Sequence, residues 1–355
     1  MKTLDDLREI EKLDKSDMLN LLLEFPTQCR HAVRIGELFS IPSPYRKVNN
    51  IVFSGLGGSA IGADLIRSYV IDEIRIPMFV NRDYTLPNFV GKDTLFFACS
   101  YSGDTEETLS SYEEAKRKGA KIIALSSGGK LEAKSKNDGV PFISIPKGYP
   151  PRTALGYSFF PPLVVLSKYG FIPDKEEEIN EAISGMSNLR GRILNPQIKV
   201  NKNCAKRLAL DLRDKYIIIY AANRYVDSVV TRWKGQLAEN SKALASSHVF
   251  PEMNHNEIVG WVNPKRLLKD FVVVILRDKG EHPRVARRIE ITKAIIKKKS
   301  KIIEVRSKGG GLLSRIFYLI YLGDFVSFYL AILNDVDPTP VDTITYLKRR
   351  LGNFK

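Results

Sequence analysis

Residue types and spacings that could do chemistry occur in three places along the chain. The first is Cys99-Ser100-Tyr101-Ser102-Gly103-Asp104-Thr105-Glu106-Glu107-Thr108. An apolar run over residues 94–99 leads into it and predicts a buried strand, and the pattern over 105–118, stopped by Gly119, predicts a helix. Ser100, Ser102 and Thr105 therefore stand where a strand turns into a helix, beside free backbone N–H groups at the positive end of a helix dipole. Such a pocket suits an anion, and a phosphate fits it without any lysine. Ser and Thr are equally ordinary as helix caps, so this stretch alone leaves both readings open.

The second place is Gly55-Leu56-Gly57-Gly58-Ser59-Ala60, a glycine-rich turn between a strand over 51–54 and a helix running to Val70. It formally fits the dinucleotide fingerprint G-x-G-x-x-A, which needs an acid at the end of the second strand. Asn81 stands there, with Asp83 just beyond, so the fit is partial and the hydroxyl-rich turn goes unexplained. The third place lies in the second half. Glu239 falls at the end of an amphipathic helix, in Gln236-Leu237-Ala238-Glu239-Asn240-Ser241-Lys242. His255 falls in the irregular polar stretch Phe250-Pro251-Glu252-Met253-Asn254-His255-Asn256-Glu257, and an imidazole titrates near neutrality. Lys348 sits in Tyr346-Leu347-Lys348-Arg349-Arg350. Each has a plain structural alternative: a helix-face carboxylate, a loop histidine, a basic helix end. Walker A, HExxH and CxxC patterns are absent, and with 4 histidines no metal site is expected.

The elements that must position these groups follow from the periodicity. Residues 1–40 read as helices, with a helix over 18–24 stopped by Pro26. From Asn50 short apolar strands alternate with helices, the strands falling at 51–54, 77–81, 94–99, 121–125 and 141–145. That alternation implies a parallel sheet covered on both faces, with ligands bound beyond the carboxyl ends of its strands. Both candidate turns fall at that edge. A Pro- and Gly-rich crossing loop over 146–156 precedes a helix over 157–169, and 171–200 reads as a mostly helical linker. The second half repeats the plan, with strands at 216–222, 248–252, 271–276 and 301–305 and helices at 225–242, 283–298, 311–333 and 338–351. The expected division is a helical extension over 1–44, a first α/β domain over 45–185 and a second over 186–355, with a site between the two.

Composition bounds the function class. The chain has 355 residues, 44% hydrophobic and 27% charged, ordinary proportions for a globular protein of two domains. Its formal charge of +15 comes largely from scattered lysines, paired with glutamates as over 112–121 and ending a predicted helix as at Lys297-Lys298-Lys299, with no aromatic-interleaved basic stripe. No nucleic-acid partner is expected, and the charge favours small anionic substrates. No apolar run approaches the roughly 18 residues of a membrane span, so no membrane partner is expected. Residues 1–17 are charged and do not read as a secretory signal. Cys29, Cys99 and Cys204 are far apart and point to a reducing, cytoplasmic setting.

Taken together, Gly57-Gly58-Ser59, Ser100-Tyr101-Ser102-Gly103, Thr105 and Thr108 resemble the phosphosugar-binding turns of the SIS (sugar isomerase) superfamily. Pro151-Arg152-Thr153-Ala154-Leu155-Gly156-Tyr157, Glu239 and Asn254-His255-Asn256-Glu257 narrow the resemblance to the bifunctional phosphoglucose/phosphomannose isomerases of archaeal type, from about Asn50 onward. The resemblance implies an α/β fold of two SIS domains, each a parallel sheet between helices (αβα), with a helical lead-in and a C-terminal helix. It implies a homodimer with shared active sites, a hexose 6-phosphate substrate and no cofactor. It further implies that Ser100, Ser102 and Thr105 hold the phosphate, with Gly57, Gly58 and Ser59 at the sugar. Glu239 is then the base, Arg152 stabilises the intermediate, and His255, donated by the neighbouring subunit, opens the ring, with Lys348 as a further candidate. Asp104 departs from the pattern, standing where the family usually has Asn, and an acid near a dianion is unfavourable unless it turns away as a cap. Two other readings stay open at this point: a sugar-phosphate sensor that binds without reacting, and a nicotinamide-dependent enzyme using Gly55–Ala60.

Overall fold

The structure is a computed structural model and describes residues 4–352. Three helices come first: α1 (Leu7–Leu13), α2 (Met18–Leu23) and α3 (Phe25–Leu38). The first sheet is then built from β1 (Asn50–Ser54), α4 (Gly58–Tyr69), β2 (Met78–Asn81), β3 (Thr94–Cys99), α5 (Glu106–Arg117), β4 (Lys121–Ser126), α6 (Gly129–Asn137) and β5 (Phe142–Ser144). A turn of 3-10 helix at Pro151–Thr153 leads to α7 (Leu155–Lys168), α8 (Glu176–Leu189) and α9 (Cys204–Leu212). The second sheet follows with β6 (Tyr216–Ala222), α10 (Asp227–Ser241), β7 (Ala245–Phe250), α11 (Glu257–Gly260), β8 (Phe271–Arg277), α12 (Pro283–Ile296) and β9 (Lys301–Arg306). Helices α13 (Leu312–Leu333) and α14 (Asp342–Gly352) end the described chain.

Every strand pair is parallel, in the orders β2-β1-β3-β4-β5 and β7-β6-β8-β9. The strand sequences explain why. β3 buries all six residues, as a strand covered on both faces must. Its Phe97 pairs in register with Phe53 of β1, and the rings stack at 4.4 Å. In sheet one the chain leaves β1 for β2 on one side and returns as β3 on the other. The crevice beyond the carboxyl ends of β1 and β3 is the topological switch point where α/β sheets bind ligands. Both the glycine-rich and the hydroxyl-rich turn open there.

The two sheets meet through α4 and α10, which pack antiparallel. At one end the Ser68 hydroxyl donates to Asp227 Oδ1 at 2.8 Å, and Arg67 pairs with Asp227 Oδ2 at 3.0 Å. At the other end the start of α4 faces the end of α10.

The structure corrects several sequence expectations. Residues 171–200 are not a linker: α8 buries Ile179, Ala182, Ile183, Met186 and Leu189 against α13 and α3. The division drawn between residues 185 and 186 falls inside that helix. Pro26 opens α3 rather than merely ending α2, because a proline in the first turn loses no helical N–H bond. The strand expected at 248–252 is β7, displaced toward the N-terminus, and α9 was not expected at all. One helix, α13, is long and apolar enough to cross a membrane, against the expectation of none; 94% of its apolar window is buried inside the protein, as suits the central helix of a globular core.

Candidate functional site

The glycine-rich turn owes its shape to residues without a Cβ. Gly57 has φ 51° and ψ −123°, a backbone conformation open to glycine alone. A Cβ on Gly58 would stand 2.6 Å from the carbonyl oxygen of Pro151, so the start of α4 lies directly against the Pro151–Thr153 turn. Ser59 then ties the two turns of sheet one together: its Oγ accepts the Tyr101 N–H at 3.0 Å.

In the hydroxyl-rich turn the buried Ser100 organises the loop. Its Oγ accepts the Gly103 N–H at 3.0 Å and shares a 2.8 Å hydrogen bond with the Thr105 hydroxyl. Thr105 precedes α5, and its side chain makes no capping bond to that helix. The first-turn N–H groups of α5 and three hydroxyls, those of Ser100, Ser102 and Thr105, are thereby gathered at one rim, with Ser102 exposed. Asp104 turns away from this rim. Its Oδ1 accepts the Lys130 N–H at 3.1 Å, so the carboxylate caps the first turn of α6.

Arg152 links this rim to the second domain. It is 3% exposed. Its Nε donates to Asn240 Oδ1 at 2.6 Å, and NH2 donates to the carbonyls of Pro338 and Thr339 at 2.8 and 2.7 Å. NH1 points to Glu239 Oε2 at 3.5 Å. Burial depresses the Arg152 pKa, and the Glu239 and Asp337 carboxylates offset only part of that; the guanidinium stays charged at neutral pH. Lys242 donates to the carbonyls of Glu239 and Asp337 at 2.8 and 2.9 Å and so pins the same loop from the other side. Glu239 opens onto a cavity of about 530 Å³, whose far wall is the first turn of α14.

Pairwise contacts connect these groups in sequence: Ser100 shares a bond with Thr105, Ser59 accepts the Tyr101 N–H, Gly57 and Gly58 open α4 against the Pro151–Thr153 turn, and Arg152 reaches Glu239. His255 does not join them within one chain. It lies exposed in a 3-10 turn at Glu252–His255, beyond the carboxyl end of β7. Glu239 lies at the opposite end, where α10 returns to the start of β7. The six residues of β7, at about 3.3 Å each, set the two roughly 20 Å apart. Lys348 lies on α14, a helix with no buried residue.

Sequence reasoning missed Asn240, Lys242 and the ion pair of Arg232 with Asp324 at 2.8 Å, all of which brace Arg152. The Arg232 NH2 also donates to the Arg152 carbonyl at 3.1 Å. One signal was available: an aspartate in the middle of an apolar helix needs a buried partner. No cluster of metal-ligating side chains occurs among the described residues.

Comparison with known proteins shows the family. The SIS domain family matches residues 45–140, and the bacterial phospho-glucose isomerase C-terminal SIS domain family matches 201–351. The bifunctional phosphoglucose/phosphomannose isomerase of Caldicellulosiruptor bescii is 47% identical over 339 residues, 95% of this chain and 100% of that protein. The protein of the same description from Thermoplasma acidophilum is 40% identical, covering 86% of this chain and 90% of its own. The crystal structure of a glucose-6-phosphate isomerase like protein from Thermus thermophilus superimposes with a TM-score of 0.64 over 98% of this chain and 99% of that one. At 19% identity this is likeness of fold.

Proposed function

The chain belongs to the bifunctional phosphoglucose/phosphomannose isomerase family, and from that we propose that it interconverts glucose 6-phosphate and mannose 6-phosphate with fructose 6-phosphate, without a metal, by proton transfer through an enediolate. The observation that carries this reading is the position of Arg152, packed against the glycine-rich turn on one side and aimed at Glu239 on the other.

The phosphate sits on the Ser100, Ser102 and Thr105 hydroxyls and the N–H groups that open α5, and the sugar lies along Gly57–Ser59. Glu239 removes the proton from C2 and returns it at C1. A positioned base of this kind contributes on the order of 10²–10⁴-fold. Negative charge develops on the enediolate oxygens, and the NH1 end of Arg152, directed toward Glu239, meets it, held in place before the reaction begins. Rotation of the intermediate before the proton returns to C2 lets one base serve both epimers. Ring opening falls to His255 of a second copy, with Lys348 beside it. The roughly 20 Å separation within one chain supports a donated histidine and hence a homodimer with shared sites. Two buried cysteines and one half-buried cysteine, all free, fit a reducing compartment such as the cytoplasm.

The test is a coupled assay run with both aldose phosphates in the presence of a chelator, on the wild type and on Glu239→Gln. The wild type is expected to turn over both, and Glu239→Gln is expected to lose turnover while still showing a thermal shift with fructose 6-phosphate. A wild type that binds without product formation would make the protein a sugar-phosphate sensor instead.

A further inference from the structure

Arg152 has five N–H donors in a fixed fork, and the structure accounts for how three of them are held. Nε bonds Asn240 Oδ1, and NH2 bonds two backbone carbonyls. All three acceptors are neutral. Glu239 is the one carboxylate that a guanidinium nitrogen of Arg152 approaches among the described residues.

Asn240 is fully buried, and its amide has a determined direction. The Ser327 hydroxyl donates to the Asp324 carbonyl at 2.8 Å, so its oxygen is left to accept. It accepts from Asn240 Nδ2 at 2.9 Å. The amide oxygen must then face Arg152, at 2.6 Å. A hydroxyl on α13 thereby sets which end of the amide meets the arginine. An aspartate here would fill the same space and accept the same bond, but would place a second carboxylate on a buried guanidinium and cancel much of its field at the crevice.

We propose that Asn240 is a positioning residue that holds Arg152 without neutralising it. The inference rests on the isomerase reading, in which Arg152 must present positive charge to an enediolate. Its content is the division of labour: shape from the amide and carbonyls, charge left free for the reaction.

Asn240→Asp is the isosteric test. Relative to wild type, kcat should fall about tenfold or more, as for loss of part of an oxyanion-stabilising charge, with the KM for fructose 6-phosphate nearly unchanged; the melting temperature should fall, because the second carboxylate oxygen faces the Ser327 oxygen. Two inhibitors separate charge from shape: an aldonate 5-phosphate, whose carboxylate resembles the enediolate, and the neutral alditol 5-phosphate. Asn240→Asp should weaken the aldonate by a factor similar to the kcat loss and leave the alditol unchanged. Wild-type kcat in Asn240→Asp, or equal weakening of both inhibitors, overturns the inference. Where Asn240→Asp does not fold, Ser327→Ala carries the test, because it removes the acceptor that anchors the Asn240 amide beneath Arg152. The same preference for weakening the aldonate is expected, and its absence overturns the proposal. Wild-type turnover is measured alongside: its absence overturns the isomerase reading, whereas an unchanged ratio of variant to wild type overturns only the role of Asn240.

Discussion

Replacing Arg152 with lysine separates the two roles the structure combines in that residue. The guanidinium spans two sets of acceptors, Asn240 Oδ1 at 2.6 Å on its Nε side and the carbonyls of Pro338 and Thr339 at 2.8 and 2.7 Å on NH2. A lysine keeps the charge but brings one nitrogen, which reaches one side or the other. At least one buried acceptor loses its donor, at about 1–3 kcal/mol each, and neighbouring losses do not simply add. The expected loss of stability is therefore about 2–4 kcal/mol, a drop in melting temperature on the order of 5 °C for a chain of this size. The catalytic effect is separate. The N–H groups of NH1 that face Glu239 and the crevice lose their fixed direction, and removing one aligned donor at a developing oxyanion costs about 10²–10³ in kcat. A melt and a fructose 6-phosphate assay read the two effects independently. A lower melting temperature with kcat within about threefold of wild type would mean that Arg152 is only a strut, and its part in the mechanism would be withdrawn.

Three further outcomes follow from the geometry. Gly58→Ala puts a methyl group 2.6 Å from the Pro151 carbonyl and 3.2 Å from the Arg152 nitrogen; the clash should cost about 1–3 kcal/mol by displacing backbone and should lower kcat with it, and an unchanged melt and rate would show the contact to be looser than described. Mixing inactive Glu239→Gln with inactive His255→Ala protein should restore about a quarter of wild-type activity, because random exchange makes half the dimers hybrid and each hybrid has one intact site; no recovery after verified exchange would place His255 outside the site. Burial raises the Asp278 pKa, but Arg315, Ser307 and the Gly280 N–H lower it further, so the net shift is below 3.8. A depressed folded value means that the stabilisation is present above the ordinary aspartate value and is lost as pH falls through the folded one. Arg315→Gln should therefore move the acid-unfolding midpoint, followed by tryptophan fluorescence, to higher pH, and an unmoved midpoint refutes the assignment.

Much of the fold was legible because its strands are short apolar runs fully buried between helices. β3 and β6 match their expected spans, and α5, α12 and α13 differ from theirs by a residue or two at the ends. β7 was misplaced because Ala245-Ser246-Ser247-His248 lacks the β-branched and aromatic signal of a central strand; it is an edge strand held by β6 alone. α9 was missed in a stretch mixing Lys, Arg and Asp with Leu and Ala. Its stability comes from burying Leu208, Ala209 and Leu212 against α13, a contact remote in sequence. In the site, the turns were legible because a glycine with positive φ and hydroxyls at a strand–helix junction have local causes. The braces on Arg152 were not, since Asn240, Asp324 and Ser327 matter only once α10 lies along α13. Asp104 shows a middle case: the need for its carboxylate to turn away was clear from charge, but that it caps α6 rather than α5 required the three-dimensional loop.

The antiparallel contact of α4 with α10 explains why two sheets make one such crevice per chain rather than two. It brings the start of α4, with its bare glycines, beside the end of α10, which carries Glu239. The same contact brings the start of α10 beside the end of α4, a pseudo-equivalent corner with its own cavity of about 400 Å³. That second corner is already neutralised. Arg67 and Ser68 hold Asp227, and Arg82 pairs with Asp64. The strand–helix turn of the second sheet carries Asn223-Arg224-Tyr225 in place of Gly57-Gly58-Ser59, and the loop after β8, counterpart of the hydroxyl-rich turn, is filled by Asp278 bound to Arg315 at 2.7 Å. Side chains occupy the backbone space an anion would need, and their charges are matched in pairs. In the first corner the glycines leave space, the hydroxyls bond mainly to their own turn, and Arg152 is held chiefly by neutral acceptors, with Glu239 at 3.5 Å. On the proposed reading the two sheets share a topology but divide the work, because only the first switch point leaves room for an anion.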